Sequence, residues 1–474
     1  MKKHGLLVLL ILSVAISTSA EPKSLKGARP NIIIILNDDQ GYQDLGCFGS
    51  PNIKTPHIDQ MAREGMRLTD FYVASPVCSA SRSALLTGCY PQRVGVTGVF
   101  FPNRGEKGLN PKHVTIAETL KTAGYATAAV GKWHLGDTPQ FLPTNQGFDS
   151  YYGIPYSNDM SPAKDMTYAA DCLFLEGQSL QTLKEAFAGK LQKGSPRKLH
   201  SKVPLMRNTE CIEFPADQTT ITRRYADEGI RFISESVKAD KPFFLYLANS
   251  MPHTPLFASP QFKGKSERGL YGDVVEEIDF NAGRILDHLK QLGIEESTLV
   301  ILASDNGPWL IKGDQAGSAL PLFEGKFTSF EGGCRVPCVM KWPARIPAGS
   351  VCSEMASTID LHPTLARLTG AELPNVELDG KNIIDLITAR TGAKTPHPYF
   401  FYVFNGQAVR SGDWKYHKKM RFTTRGEGRS ETEPTLYNLK NDIGETTNLI
   451  DKYPEIVERL AGALDKHLQR IKAK

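Results

Sequence analysis

The segment from Asn31 to Leu36 is apolar after its first residue, carries four consecutive isoleucines, and is cut off by Asn37, Asp38 and Asp39. By its β-branched content it is a buried strand, and a strand apolar on both alternations belongs in a sheet covered on both faces. It also leaves two carboxylates at a strand's carboxyl end. Beyond it, short apolar runs alternate with amphipathic segments, so the expected fold is α/β with a large, mostly parallel sheet flanked by helices. Functional residues then fall at the ends of strands.

Thr55 and Pro56 read as the N-cap and first turn of a helix closed by Gly65, ahead of a strand at 67–72. Thr115 and Glu118 form a capping box for a helix running to Gly124, followed by a strand at 126–130 that leads into Gly131, Lys132, Trp133 and His134. A strand at 243–247 leads to Pro252 and His253, and one at 299–303 ends at Ser304, Asp305, Asn306 and Gly307. The long stretch 135–215 is expected to shape a binding site or carry small inserted elements. After a helix at 359–368 and a Pro-containing link at 372–380, strand-like pieces at 399–404 and 406–414 precede an amphipathic helix at 454–468. This organisation predicts a large domain over 21–380 and a small α+β domain with an antiparallel sheet over 381–474.

Residues 1–20 run Lys2, Lys3, an apolar stretch at 6–16, then Ser17, Thr18, Ser19 and Ala20, the order of a secretory signal. The stretch is too short to span a bilayer and none like it follows, so the mature chain is expected to be exported without a membrane span. No Asn is followed at the second position by Ser or Thr, which favours a bacterial periplasmic or extracellular protein over a lysosomal one. Net charge is +5 without a basic block, so nothing asks for nucleic acid, whereas an anionic substrate suits it. The eight cysteines are too sparse for a disulfide framework; Cys172 with Cys211 is the plausible bridge.

The strongest chemical signal is Cys78-Ser79-Ala80-Ser81-Arg82 followed by Ser83-Ala84-Leu85-Leu86-Thr87-Gly88. It resembles the sulfatase signature CxPSR or CxASR, which a formylglycine-generating enzyme recognises and oxidises to an aldehyde. A hydrated aldehyde offers one hydroxyl to attack sulfur and a second to expel sulfate afterwards, chemistry a thiol does poorly. Placement at a helix start favours the negative charge of sulfate. Asp38, Asp39, Asp305 and Asn306 form an all-oxygen ligand set suited to Ca²⁺, or second to Mg²⁺, rather than to zinc. Lys132 can neutralise sulfate and His134 can take a proton near neutral pH. Singly, each feature has a plain structural reading: a capping cysteine, exposed DD and DNG turns, a hydrogen-bonded histidine. Their company is what favours chemistry.

The resemblance to the sulfatase family, and within it to the arylsulfatase A and N-acetylgalactosamine-6-sulfatase group, extends over nearly the whole mature chain. It rests on TPHID at 55–59, GKWHLG at 131–136, FLPTNQGFDSYYGIPYSND at 141–159, FFLYLANSMPHTP at 243–255, SDNGP at 304–308 and FEGGCRVP at 330–337. DLHPTLARLTG from 360, LDGKN from 378 and LYNLKND from 436 continue it. The resemblance implies an alkaline-phosphatase-like sandwich and a sulfuric ester hydrolase. It implies calcium ligands at Asp38, Asp39, Asp305 and Asn306 beside a modified Cys78. Arg82 and Lys132 would stabilise diol and sulfate, and His134 would deprotonate the second hydroxyl. His253 and Lys326 would contact sulfate and the leaving oxygen, with His253 the general acid, and Ser157 matches a substrate-site serine. The maturing partner would be a formylglycine-generating or anaerobic sulfatase-maturating enzyme, and the substrate a sulfated carbohydrate. The Ala80 form of the core is an accepted variant, but the disulfides of lysosomal relatives do not carry over.

Two rivals stand beside this reading. A phosphatase or phosphodiesterase of the same superfold would need a second metal, and the candidates left, Asp360 and His362, lie in a stretch that reads as a core-packing helix. A non-catalytic binder of sulfated glycan would keep Cys78 unmodified.

Overall fold

The four isoleucines place the strand Asn31–Asn37 at the centre of the molecule, because Ile32, Ile34 and Leu36 enter one apolar core while Ile33 and Ile35 enter another. In the computed structural model, which describes residues 29–105, 107–192, 195–424 and 430–472, this strand pairs in parallel with Phe243–Ala248 on one side and Thr298–Ser304 on the other. Ala126–Gly131 and Ser150–Gly153 continue the parallel set. Additions at both edges, antiparallel except for the outermost pair at each, bring the sheet to eleven strands among the described residues. The secretory signal read at 1–20 lies outside the described residues.

The helices Cys78–Thr87, Ile116–Thr122 and Leu361–Thr369 bury Ala84, Leu120 and Leu365 against the Ile32 face. Pro56–Glu64, Ile221–Lys238 and Leu270–Gln291 bury Ile58, Tyr225 and Val275 against the Ile33 face. Each fully buried aliphatic side chain contributes roughly 2 kcal/mol, so covering both faces outweighs much of the entropy lost on ordering the sheet.

The capping box at Thr115 and Glu118 forms as expected. Thr55 is the N-cap, Pro56 the first turn and Gly65 the C-cap of the helix Pro56–Glu64, but two local details differ from expectation. The Thr55 side chain gives no capping bond; its hydroxyl bonds to Asp59, and the Asp279 carboxylate accepts from the amides of His57 and Ile58 instead. The strand expected at 67–72 is two, Met66–Leu68 in the large sheet and Phe71–Tyr72 paired with Ala356–Ser357. The chain breaks between them because Asp70 is drawn onto Arg335 and Arg410.

The stretch 135–215 holds inserted elements: the strands Ser150–Gly153, Tyr168–Phe174, Leu205–Arg207 and Glu210–Phe214 lengthen the sheet, and the helix Leu180–Ala188 flanks them. Cys172 and Cys211 lie on neighbouring strands of this insert, and all eight cysteines are free thiols. Toward the carboxyl end, Phe400–Val403, Gln407–Ser411, Trp414–Arg421 and Thr435–Asn438 form a small antiparallel sheet. The helix Pro454–Lys472 closes it by setting Leu460 and Leu464 against Val409, Tyr416 and Leu436. Among the described residues no helix is long and apolar enough to cross a membrane.

Asp360 and His362 are committed to packing. Asp360 accepts from the amides of Ser357 and Lys381 and from His397, and His362 Nε2 meets the Thr119 hydroxyl at 2.8 Å. Burial pushes the His362 imidazole down to about 4 from an ordinary 6.5, so it stays neutral in the folded chain while the unfolded chain takes up a proton. The contribution of this neutral imidazole is therefore complete above pH 6.5 and is lost between 6.5 and about 4. Denaturant unfolding of wild type and His362→Asn across that range is expected to show the wild-type advantage shrinking with falling pH by a few kcal/mol. An advantage independent of pH would place the imidazole's contribution elsewhere.

Candidate active site

The carboxyl ends of strands of the parallel set converge on the first turn of the helix Cys78–Thr87: Thr298–Ser304 and Asn31–Asn37 are neighbours, and Ala126–Gly131 lies one strand further on, beyond Phe243–Ala248. Asp38 and Asp39 follow Asn31–Asn37, Lys132 follows Ala126–Gly131, and Asp305 with Asn306 follows Thr298–Ser304. The turn into Lys132 depends on Gly131, whose backbone sits at φ +105° and whose absent Cβ would lie 1.9 Å from the Ala248 carbonyl. Without that close approach the Lys132 amide could not reach the same carbonyl at 2.7 Å. Asp39, His134 and Phe327 also hold positive φ, at 63°, 61° and 72°. Such conformations cost on the order of 1–3 kcal/mol each and persist where surrounding bonds enforce them.

Cys78 is the first residue of its helix and is 1% exposed. Its sulfur lies within 4.8 Å of carboxylate oxygens of Asp38, Asp305 and Asp39 and of a ring nitrogen of His253. Lys326 donates to it at 3.2 Å and also to Asp39. Lys132 pairs with Asp38 and lies 3.3 Å from the Ser157 hydroxyl. Arg82 donates through Nε to Asp305 at 2.9 Å and through Nη1 to the Lys132 carbonyl, while its Nη2 lies 2.8 Å from the same Asp305 oxygen as an ion pair. Asn306 joins this buried cluster by donating to Asp39, Ser157 joins it through Lys132, and His134 is buried as well.

Burial raises the Asp38 carboxyl, but Lys132, His253 and Arg82 outweigh it and hold the group below the usual carboxylate range. Burial and the neighbouring Asp38 charge push Asp305 up instead. Burial lifts the Cys78 thiol to about 12 despite the two lysines, so a cysteine here is a protonated thiol at neutral pH. It lowers both His134 and His253, and the cations Lys132 and Arg82 lower His134 further.

Three buried oxygens in this cluster, Asp38 Oδ1, Asp39 Oδ2 and Asn306 Oδ1, have no hydrogen-bond partner. Buried acceptors are rarely left so, and hard oxygen donors beside one another are what a calcium or magnesium ion requires, so the donor set fits such a cation.

The histidines are oriented by groups that can only accept. His134 Nε2 lies 3.0 Å from the Phe100 carbonyl, so it carries the proton and leaves Nδ1, buried and unpartnered, with the lone pair. His253 Nδ1 faces the Thr254 carbonyl at 2.6 Å and Asn158 Oδ1 at 3.0 Å, which turns Nε2 toward Asp39. Asn158 escaped the sequence reading. Its Nδ2 donates to the carbonyls of His253 and Pro255, tying down that loop, and its only signal was adjacency to Ser157 in the tract 153–159. Trp309, packed on His253 with ring centroids 5.5 Å apart, gave no signal beyond following the Asp305-Asn306 pair.

Residues 30–371 match the family model described as Sulfatase, and residues 321–474 match that described as N-sulphoglucosamine sulphohydrolase, C-terminal. Arylsulfatase A of Homo sapiens is 38% identical over 474 aligned residues, spanning 94% of this chain and 88% of the relative. N-acetylgalactosamine-6-sulfatase of Canis lupus familiaris is 34% identical over 508, spanning 98% and 90%. Among solved structures, Ps i-CgsB in complex with k-i-k-neocarrahexaose is similar at a TM-score of 0.75 and 32% identity, over 92% of each chain.

Proposed function

This chain belongs to the sulfatase family and is a sulfatase, and we propose that it desulfates a sulfated carbohydrate after Cys78 is converted to formylglycine, with calcium held by Asp38, Asp39, Asp305 and Asn306. The observation that carries the reading is the closeness of the Cys78 sulfur to the carboxylates of Asp38, Asp39 and Asp305, all within 4.8 Å of it. The carbohydrate is supported by the similar structure of Ps i-CgsB, solved in complex with k-i-k-neocarrahexaose.

Bound calcium supplies a positive charge for the sulfate oxygens, and the hydrated aldehyde supplies the attacking hydroxyl. The chain's own groups do the rest. Arg82 anchors Asp305 and caps the Lys132 carbonyl, fixing the ligand loop against the strand that carries Lys132. Lys132 and Lys326 bring two ammonium groups to where sulfate charge must be neutralised. His253 donates through Nδ1, so it can protonate the departing alcohol oxygen from Nε2 only as the imidazolium, a form that burial disfavours and the Asp39 and Asp38 carboxylates favour; Ser157 sits between it and Lys132. His134 takes a proton at Nδ1 to release the sulfate.

The same reading assigns residues 21–380 to the catalytic domain and 381–474 to the small C-terminal one. It assigns export to the bacterial periplasm or beyond, and maturation to a formylglycine-generating or anaerobic sulfatase-maturating enzyme. Mass spectrometry of protein from its native host tests both chemical parts at once. The tryptic peptide 68–82 is expected to be lighter than its cysteine form, and the intact protein to carry a calcium ion under native conditions. A retained thiol would instead make the chain a binder of sulfated glycan.

A further inference from the structure

Trp309 stands where the chain leaves the Asp305-Asn306 loop, and its ring covers the leaving-group side of the site. The His253 ring packs on it, and Phe327 meets it edge-on with centroids 5.7 Å apart. Two ammonium groups lie over the indole, Lys312 at 4.1 Å and Lys326 at 5.1 Å from its centroid. With cations already over the ring, the polar group it has left to offer is its Nε1–H. That N–H is buried and has no hydrogen-bond partner, although the side chain as a whole is only half-buried. A buried indole N–H normally finds an acceptor, and none of the described residues supplies one here.

We propose that Trp309 selects the alcohol half of the substrate, donating its Nε1–H to an oxygen carried next to the sulfated carbon. The inference rests on the sulfate-ester reading above. Lys326 links the two ends of the geometry, since its ammonium reaches Cys78 at 3.2 Å while lying over the indole. An ester held at residue 78 therefore presents its alcohol carbon and that carbon's neighbours to Trp309. The substrate class is a sulfate ester with a vicinal hydroxyl, ether or amide oxygen, which a sulfated pyranose provides and a simple aryl or alkyl sulfate lacks.

The test compares matured wild type with Trp309→Phe, which keeps an aromatic ring and removes the donor. Two substrate pairs serve: 4-nitrocatechol sulfate, with a hydroxyl beside the sulfated carbon, against 4-nitrophenyl sulfate, and a sulfated hexose against its analogue deoxygenated at the neighbouring carbon. Wild type is expected to show a KM about tenfold lower for the oxygen-bearing member, and Trp309→Phe to lose that preference with kcat little changed. Trp309→Gln, which restores an N–H donor, is expected to recover part of it. If Trp309→Phe does not fold, the wild-type preference alone decides. Equal KM values within the pairs in wild type, or equal changes for both members in the variant, would overturn the inference. If the aryl pair is hydrolysed but no sulfated saccharide is, the carbohydrate reading falls and Trp309 is judged on the aryl pair.

Discussion

Cys78→Ala is expected to lower kcat by at least about 10⁴-fold while leaving the folded state intact, measured as turnover of an aryl sulfate alongside a thermal melt. The side chain is buried at the start of its helix, and its sulfur lies among three carboxylates and the Lys326 ammonium. Removing one sulfur from that position leaves the cluster's own ion pairs, Lys132 with Asp38 and Lys326 with Asp39, to hold the surroundings together. The thiol itself, lifted to about 12 by burial, has almost no thiolate at neutral pH. Protein made in a host lacking a maturing enzyme should therefore be nearly as inactive as the alanine variant, and the two should rise apart only when a maturing enzyme is supplied. Substantial activity in Cys78→Ala would show that another group attacks sulfur.

The strand-end logic made most of this site legible. An apolar run that stops at Asp38 and Asp39, and another that stops at Asp305 and Asn306, could only deliver those groups to the same edge once the strands lay side by side in parallel, as they do. Less legible was anything whose meaning depends on a distant partner. Thr55 had the local chemistry of an N-cap, yet Asp279, far along the chain, takes the helix amides because its own helix packs across that end. The Asp70 kink that divides 67–72 into two strands is likewise set by Arg335 and Arg410. Asn158 and Trp309 act through a side-chain orientation and an unpartnered N–H, neither of which has a spacing to read. The stretch 135–215 was legible as a place for inserted elements but not for their pairing, since its short strands join through an irregular ladder between Tyr168–Phe174 and Glu210–Phe214.

The same blindness applies to Glu331, where replacement by leucine is expected to cost roughly 3–5 kcal/mol of stability. Its carboxylate, fully buried, accepts from Tyr402 at 3.0 Å, from Lys415 at 2.9 Å and from Tyr72, with Arg335 and Arg410 within 4.0 Å. Burial alone would raise it, but Lys415, Arg410 and Arg335 outweigh that and hold it well below the usual carboxylate range. Tyr402, Arg410 and Lys415 come from the small antiparallel sheet, whereas Tyr72 and Arg335 come from the large sheet's side. Glu331 is therefore where the C-terminal sheet is fastened to the body that carries Lys326, five residues upstream. Losing its charge leaves Lys415 with Glu445 alone, at 3.0 Å, and Arg335 and Arg410 to share Asp70. Glu331→Gln keeps the shape and two hydrogen-bonding atoms, so it is expected to lose less than Glu331→Leu. Denaturant unfolding read by tryptophan fluorescence compares them, with Trp414 reporting from the small sheet. Leu and Gln variants of equal stability, or a Glu331→Leu protein as stable as wild type, would mean that the apolar contacts of Phe400 and Tyr402 with Tyr72, at ring distances of 5.2 and 6.1 Å, hold the two parts together without the charge.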